Sequence, residues 1–166
     1  RSVLVETELQ RPPERERIEN PDRFVLMFAP ITRSYSRPYA VEGKLPEPAP
    51  YVRNKLQFPK GAGANIEYLR AWQKQFKGDG FDFDYHMIWP CFYDLNHVTL
   101  ARILHKDIQG LAAIGLHGLN SCQTQRQSFP SNLLMDVMVR GLWDRRLSFE
   151  EITKAFLCIS VLQLFP

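Results

Sequence analysis

The stretch that decides the fold is Gly80-Phe81-Asp82-Phe83-Asp84-Tyr85-His86-Met87-Ile88-Trp89. Aromatic or apolar residues alternate there with Asp82, Asp84 and His86. Successive side chains of a strand point to opposite faces. This alternation therefore predicts a strand with Phe81, Phe83, Tyr85 and Met87 on one face and Asp82, Asp84, His86 and Ile88 on the other, ended by Pro90. The neighbouring segments read as those of a parallel α/β sheet, in which both faces are covered. Acids and a histidine on a covered face need partners, a metal or a substrate.

Upstream, Phe24-Val25-Leu26-Met27-Phe28-Ala29 reads as a buried strand ended by Pro30, and Val3-Leu4-Val5 is a short apolar run. Prolines at 38, 46, 48, 50 and 59 exclude regular helix from the loop 32–63. Its aromatic and basic residues, among them Arg33, Tyr35, Arg37, Tyr39, Tyr51 and Arg53, favour a binding loop over a solvated linker. Asn65 is placed to cap a helix running to about Phe76, with Ile66, Leu69, Trp72 and Phe76 at helical spacing. A second helix is predicted from Val98 to Ile114, buried through Leu100, Ile103, Leu104, Ile108 and Leu111. A short segment Leu119–Gln123 follows the glycines at 115 and 118. The helix after Pro130 runs through Trp143 on an apolar set of Leu134, Val137, Met138 and Leu142. Ser148-x-x-Glu151 is a capping box for a last helix.

Strands alternating with helices of these lengths predict βαβ units with right-handed crossovers. Three buried strands are too few for a closed barrel of eight. The fold is then either a small open sheet or one part of a larger α/β barrel. At 166 residues, 45% hydrophobic and 23% charged, the chain has room for one domain with a sizeable core. A net charge of +3, with basic residues mixed among acids, gives no argument for nucleic acid or a membrane surface. No apolar run reaches the roughly 20 residues that span a bilayer. The cysteines at 91, 122 and 158 make no zinc spacing and read as free thiols.

The residues are specific enough to carry a resemblance. The segments 22–36, from Asp22-Arg23-Phe24 to Ser34-Tyr35-Ser36, and 76–89, from Phe76-Lys77-Gly78 to Met87-Ile88-Trp89, resemble a bacterial family known only as domain of unknown function 4838. So do Asp107-Ile108, Gly115-Leu116, Ser121-Cys122-Gln123-Thr124-Gln125-Arg126 with Phe129-Pro130, Leu142-Trp143-Asp144 and Ser148-Phe149-Glu150-Glu151. The resemblance implies one partial domain over 1–166, the C-terminal part of a glycoside-hydrolase-like TIM barrel. The family occurs in larger, secreted carbohydrate-active proteins. In related hexosaminidase-like barrels the acid catalyst sits on a middle strand, which here would fall upstream of Arg1. The tail 157–166 departs from the family pattern.

Barrel enzymes place their sites at the C-terminal ends of the strands. Three such ends can be located. Arg33 and Tyr35 follow the first strand; a guanidinium beside a phenol suits a substrate carboxylate or sugar hydroxyls. Asp84, His86 and Trp89 end the second, Asp84 orienting His86 as the candidate catalytic pair and Trp89 offering a stacking platform. Gln123 and Arg126 end the third and can reach hydroxyls or a carboxylate. Asp82 reads as deeper and structural, His97 and His105 as surface residues, and Trp72 and Trp143 as core. No cofactor or metal is expected, since side chains two apart on one strand diverge too little to wrap an ion. The expected function is contact with, and hydrolysis of, a carbohydrate by carboxylates. The alternative is a non-catalytic carbohydrate-binding or structural module on a degenerate barrel. Open strand edges predict self-association.

Overall fold

The computed structural model describes residues 3–6, 12, 15–39, 52, 54–55, 58–124 and 131–164. Four parallel strands form one sheet: β1 (Val3–Glu6), β2 (Phe24–Phe28), β3 (Gly80–Asp84) and β4 (Leu119–Ser121), in the order β1-β2-β3-β4. Four α-helices complete the described structure: α1 (Ala62–Gln75), α2 (Val98–Gly110), α3 (Leu133–Trp143) and α4 (Phe149–Leu164). The alternation of strands and helices is as the hydrophobic patterning predicts. The short run at Val3 adds a strand to the three expected, its Val3 to Glu6 paired in register with Phe24 to Met27.

Leu26 and Phe28 alternate on β2 and are buried against Ile66 and Leu69 of α1, with Phe76 and Leu116 in the same apolar cluster. Each such side chain contributes about 1.5–3 kcal/mol when fully buried. Phe28 pairs with Asp82 across the sheet. Paired residues on neighbouring strands share a face, so Asp82 and Asp84 point toward the helix layer. Val25, Met27, Phe81 and Phe83 on the other face are only half-buried. A second cluster joins Leu100, Leu104 and Ile108 of α2 to Leu134 and Val137 of α3, to Phe149 and Ile152 of α4, and to Tyr85 and Met87 beyond β3.

Several local expectations are corrected. β3 ends at Asp84, not at Trp89: His86, Met87 and Ile88 form a turn, and Trp89–Tyr93 a 3-10 turn. The cause is Asp84 itself, whose carboxylate Oδ2 accepts the His86 backbone N–H at 2.9 Å and so folds the chain back. α1 begins after Gly61, and Asn65 lies inside it, its Nδ2 donating to the carbonyls of Pro59 and Gly61. His97 and His105 are buried: His97 heads α2 with a left-handed φ of 58°, and the His105 ring meets the Leu147 carbonyl at 2.8 Å. Trp143 is 91% exposed and takes no part in the core. The capping box forms as read, Ser148 Oγ accepting the Glu151 N–H and Glu151 Oε2 the Ser148 N–H.

Gly115 closes the turn into β4 at φ 76°, where a Cβ would lie 2.7 Å from Gln73 Nε2. That amide donates to the Ile114 carbonyl at 2.8 Å and ties α1 to the approach of β4.

Candidate functional site

The loop after β2 and the turn after β3 both emerge at the C-terminal edge of the sheet. Thr32 Oγ1 donates to the Pro59 carbonyl, and Ser34 N–H to the Lys60 carbonyl, so the start of the proline-rich loop is pinned to its end. Within 33–36 burial alternates: Arg33 and Tyr35 turn inward, Ser34 and Ser36 outward. The parts of that loop bearing Tyr51 and Arg53 lie outside the described residues, as does Arg126.

Beneath this edge is a closed polar network. Arg33, Asp82, Asp84, His86 and Asp107 are all buried, and Asp107 comes from the last turn of α2. Asp107 Oδ2 accepts from Arg33 Nη2 at 2.7 Å and lies 3.3 Å from His86 Nε2, while its Oδ1 accepts the Tyr39 N–H at 2.6 Å. His86 Nδ1 meets Asp84 Oδ1 in a short contact, and the Tyr39 hydroxyl donates to Asp82 Oδ2 at 3.1 Å. The Arg33 guanidinium sits over the ring of Tyr39 (3.9 Å) and that of Tyr35 (4.6 Å), and Tyr35 packs edge-on to His86.

Environment divides Asp82 from Asp84. Burial, reinforced by the neighbouring Asp84 charge, pushes the Asp82 carboxyl well above its ordinary value. Burial also opposes charge on Asp84, but the His86 imidazolium and its hydrogen bonds outweigh it and hold Asp84 below its ordinary value. Burial would depress His86; Asp84 and Asp107 overcome that and raise it to about 9. The Tyr35 phenol is raised by burial and by the Asp84 charge. At neutral pH the network therefore holds two cations, Arg33 and His86, His86 beside the lowered carboxyl of Asp84 and Arg33 bonded to Asp107.

Above the network lies a cleft of about 440 Å³ lined by Arg33, Ser34, Tyr35 and Ser36 from the first loop, by Trp89, Pro90, Tyr93 and Asp94 from the turn after β3, and by Thr99, Leu100 and Ile103 of α2. Trp89 is 39% exposed and stacks on Tyr85 with centroids 5.9 Å apart and planes inclined by 25°. Phe92 and Tyr93 extend the exposed aromatic edge.

Of the residues the sequence singled out, Arg33, Tyr35 and Trp89 are brought to one cleft. Asp84 and His86 lie under its floor with no exposed surface, where they brace the two loops. Gln123 is exposed at the end of β4 and is not part of the cleft lining. Pattern reading gave no role to Asp107, Asp94 or Tyr93. For Asp107 a signal exists: it interrupts the apolar stripe Leu100–Leu104–Ile108 of α2, and an acid on a buried stripe requires a buried partner. Among the described residues no three His, Cys, Asp or Glu side chains converge in a metal-binding arrangement, and no helix is long and apolar enough to cross a membrane. The cysteines at 91, 122 and 158 are free thiols. Comparison with family models, with curated proteins and with solved structures finds no match for this chain.

Proposed function

We propose that this chain binds a saccharide in the cleft between the loop after β2 and the turn after β3, on a scaffold that is the later part of a glycoside-hydrolase-like (β/α) barrel of the kind its sequence resembles. One observation carries the reading: exposed aromatic side chains, Trp89 and Tyr93, line the same concavity as the hydroxyl residues Ser34, Ser36 and Thr99, at the C-terminal ends of parallel strands. Aromatic faces take the C–H faces of a pyranose, and hydroxyl side chains serve as both donors and acceptors for sugar hydroxyls. The barrel part of the reading is supported by the strand order, which runs β1 to β4 without the reversal of a doubly wound sheet. β1 and β4 stand at the ends of the described sheet, which supports self-association through strand edges.

The binding reading is favoured over hydrolysis by the placement of the acids. Glycoside hydrolysis uses two carboxylates flanking the scissile bond. Asp82 and Asp84 are withdrawn beneath the cleft, and Asp94 is the one carboxylate among its described lining residues. Hydrolysis stands as the second reading, with Asp94 as one member of a pair.

A glycan array probed with the full chain and with Trp89→Ala tests the proposal. Binding lost in the variant, with no turnover of a broad chromogenic-glycoside panel by either protein, is the expected result. Turnover abolished by Asp94→Asn establishes the second reading instead. Absence of both binding and turnover overturns both.

A further inference from the structure

Arg33 and Asp94 are the only charged residues among the described residues lining the cleft, and their surroundings bear on what the cleft can accept. The sequence left the Arg33–Tyr35 pair open to either a ligand carboxylate or sugar hydroxyls. The Arg33 side chain has no exposed surface; its Nη2 donates to Asp107 and to the Arg37 carbonyl at 3.0 Å. Two tyrosine rings cover the guanidinium. Its Nε and Nη1 have no hydrogen-bond partner, but both are sealed from solvent. The cation is answered within the protein and gives a ligand nothing to hold.

The second source of positive potential is the N-terminus of α2, which carries roughly half a unit charge in its unsatisfied N–H groups. Two of these groups are answered by side chains of the preceding turn, and the first helical bond follows them. Val98 N–H donates to Asn96 Oδ1 at 3.0 Å, Leu100 N–H to Asp94 Oδ2 at 2.8 Å and Ala101 N–H to the His97 carbonyl at 2.9 Å. The Asp94 carboxylate sits at the helix end where a ligand anion would otherwise be drawn. An anionic ligand entering the cleft would lose hydration, meet no free cation among the described lining residues, and face Asp94.

We infer, resting on the saccharide reading above, that the cleft selects uncharged saccharides and discriminates against uronate, sulfated and phosphorylated sugars. Ser34, Ser36, Thr99 and Tyr93 are neutral groups that can exchange hydrogen bonds with hydroxyls, and Trp89 offers an aromatic edge. None of these distinguishes an acidic sugar favourably from a neutral one.

Isothermal titration of the full chain against neutral cello-, xylo-, manno- and chito-hexasaccharides, and against hexagalacturonate and a sulfated heparin hexasaccharide, tests the inference. At least one neutral ligand is expected to bind about tenfold or more tightly than either acidic ligand. Its affinity should change by less than about twofold between about 50 and 500 mM NaCl, since no ion pair is screened. Asp94→Asn, which keeps a side-chain acceptor for the Leu100 N–H, should narrow the gap by improving the acidic ligands. A smaller gap in the wild type, or tighter and salt-sensitive binding of an acidic ligand, overturns the inference while leaving the saccharide reading in place. Binding of no saccharide at all overturns the saccharide reading, and the inference with it.

Discussion

Arg33 and Asp107, 74 residues apart in sequence, meet at 2.7 Å with neither side chain touching solvent. The pair joins the loop after β2 to the last turn of α2, and through His86 it reaches the turn after β3. Removing Asp107 leaves the Arg33 guanidinium buried without its hydrogen-bonded counterion, which costs about 3–5 kcal/mol. Asp107→Ala should lower the stability by that order in urea titration. The apolar double replacement Arg33→Met with Asp107→Leu should lose less than Asp107→Ala alone. Equal or larger losses in the double variant would show that the tyrosine stacking and the Tyr39 contact, not the charges, carry the energy.

The network also sets how stability depends on pH. His86 is raised from 6.5 to about 9 in the folded protein. The folded state thus binds a proton that the unfolded state releases earlier. The contribution is whole below pH 6.5 and is lost as pH rises through about 9, up to about 3 kcal/mol. Asp82, raised well above the carboxylate range, acts in the same direction. Asp84 is held low, so its contribution is present above 3.8 and lost on acidification. Urea midpoints measured from pH 6 to 9.5 should fall in the wild type and fall less steeply in His86→Gln. Parallel slopes in the two proteins would refute the assignment to His86.

The Ser148–Glu151 box holds the start of α4 by reciprocal bonds. Ser148→Ala removes the side-chain acceptor for the Glu151 N–H and should cost about 1 kcal/mol. Ser148→Asp retains an acceptor and should restore most of the loss. Thermal melts of the three proteins decide it.

Trp143, although it continues an apolar helix, is 91% exposed. Trp143→Ser should leave stability within about 0.5 kcal/mol of the wild type. The variant should also lose the most red-shifted part of the tryptophan emission. A large destabilisation would place Trp143 in an interface between copies of the chain.

What the sequence disclosed and what it hid follow from the same physics. β2, β3, α2 and the α4 cap were legible because each depends on local pattern: apolar periodicity, or residues three apart. The end of β3 was hidden because the alternation of aromatic and polar residues continues to Trp89 while the Asp84 carboxylate captures the His86 N–H and turns the chain. The exposure of Trp143 is a matter of helical phase. Leu134, Val137 and Gly141 hold the buried stripe, and a residue two beyond Gly141 lies on nearly the opposite side. His97 and His105 were misplaced because burial of a histidine depends on distant acceptors and packing, such as the Leu147 carbonyl and Phe149 ring that receive His105. The candidate site was half legible. Arg33, Tyr35 and Trp89 converge, but the depth at which Asp84 and His86 lie is decided by Asp107, contributed from another element.

The alternation along 33–36 has a consequence for how such a protein can change. Arg33 and Tyr35 anchor the rim inward, whereas the side chains of Ser34 and Ser36 face outward, hydroxyl to hydroxyl at 2.7 Å. The side chains that line the cleft are thus interleaved with those that anchor the rim. Substitution at 34, 36 or 93 alters the lining of the cleft and leaves the buried anchors Arg33 and Tyr35 in place.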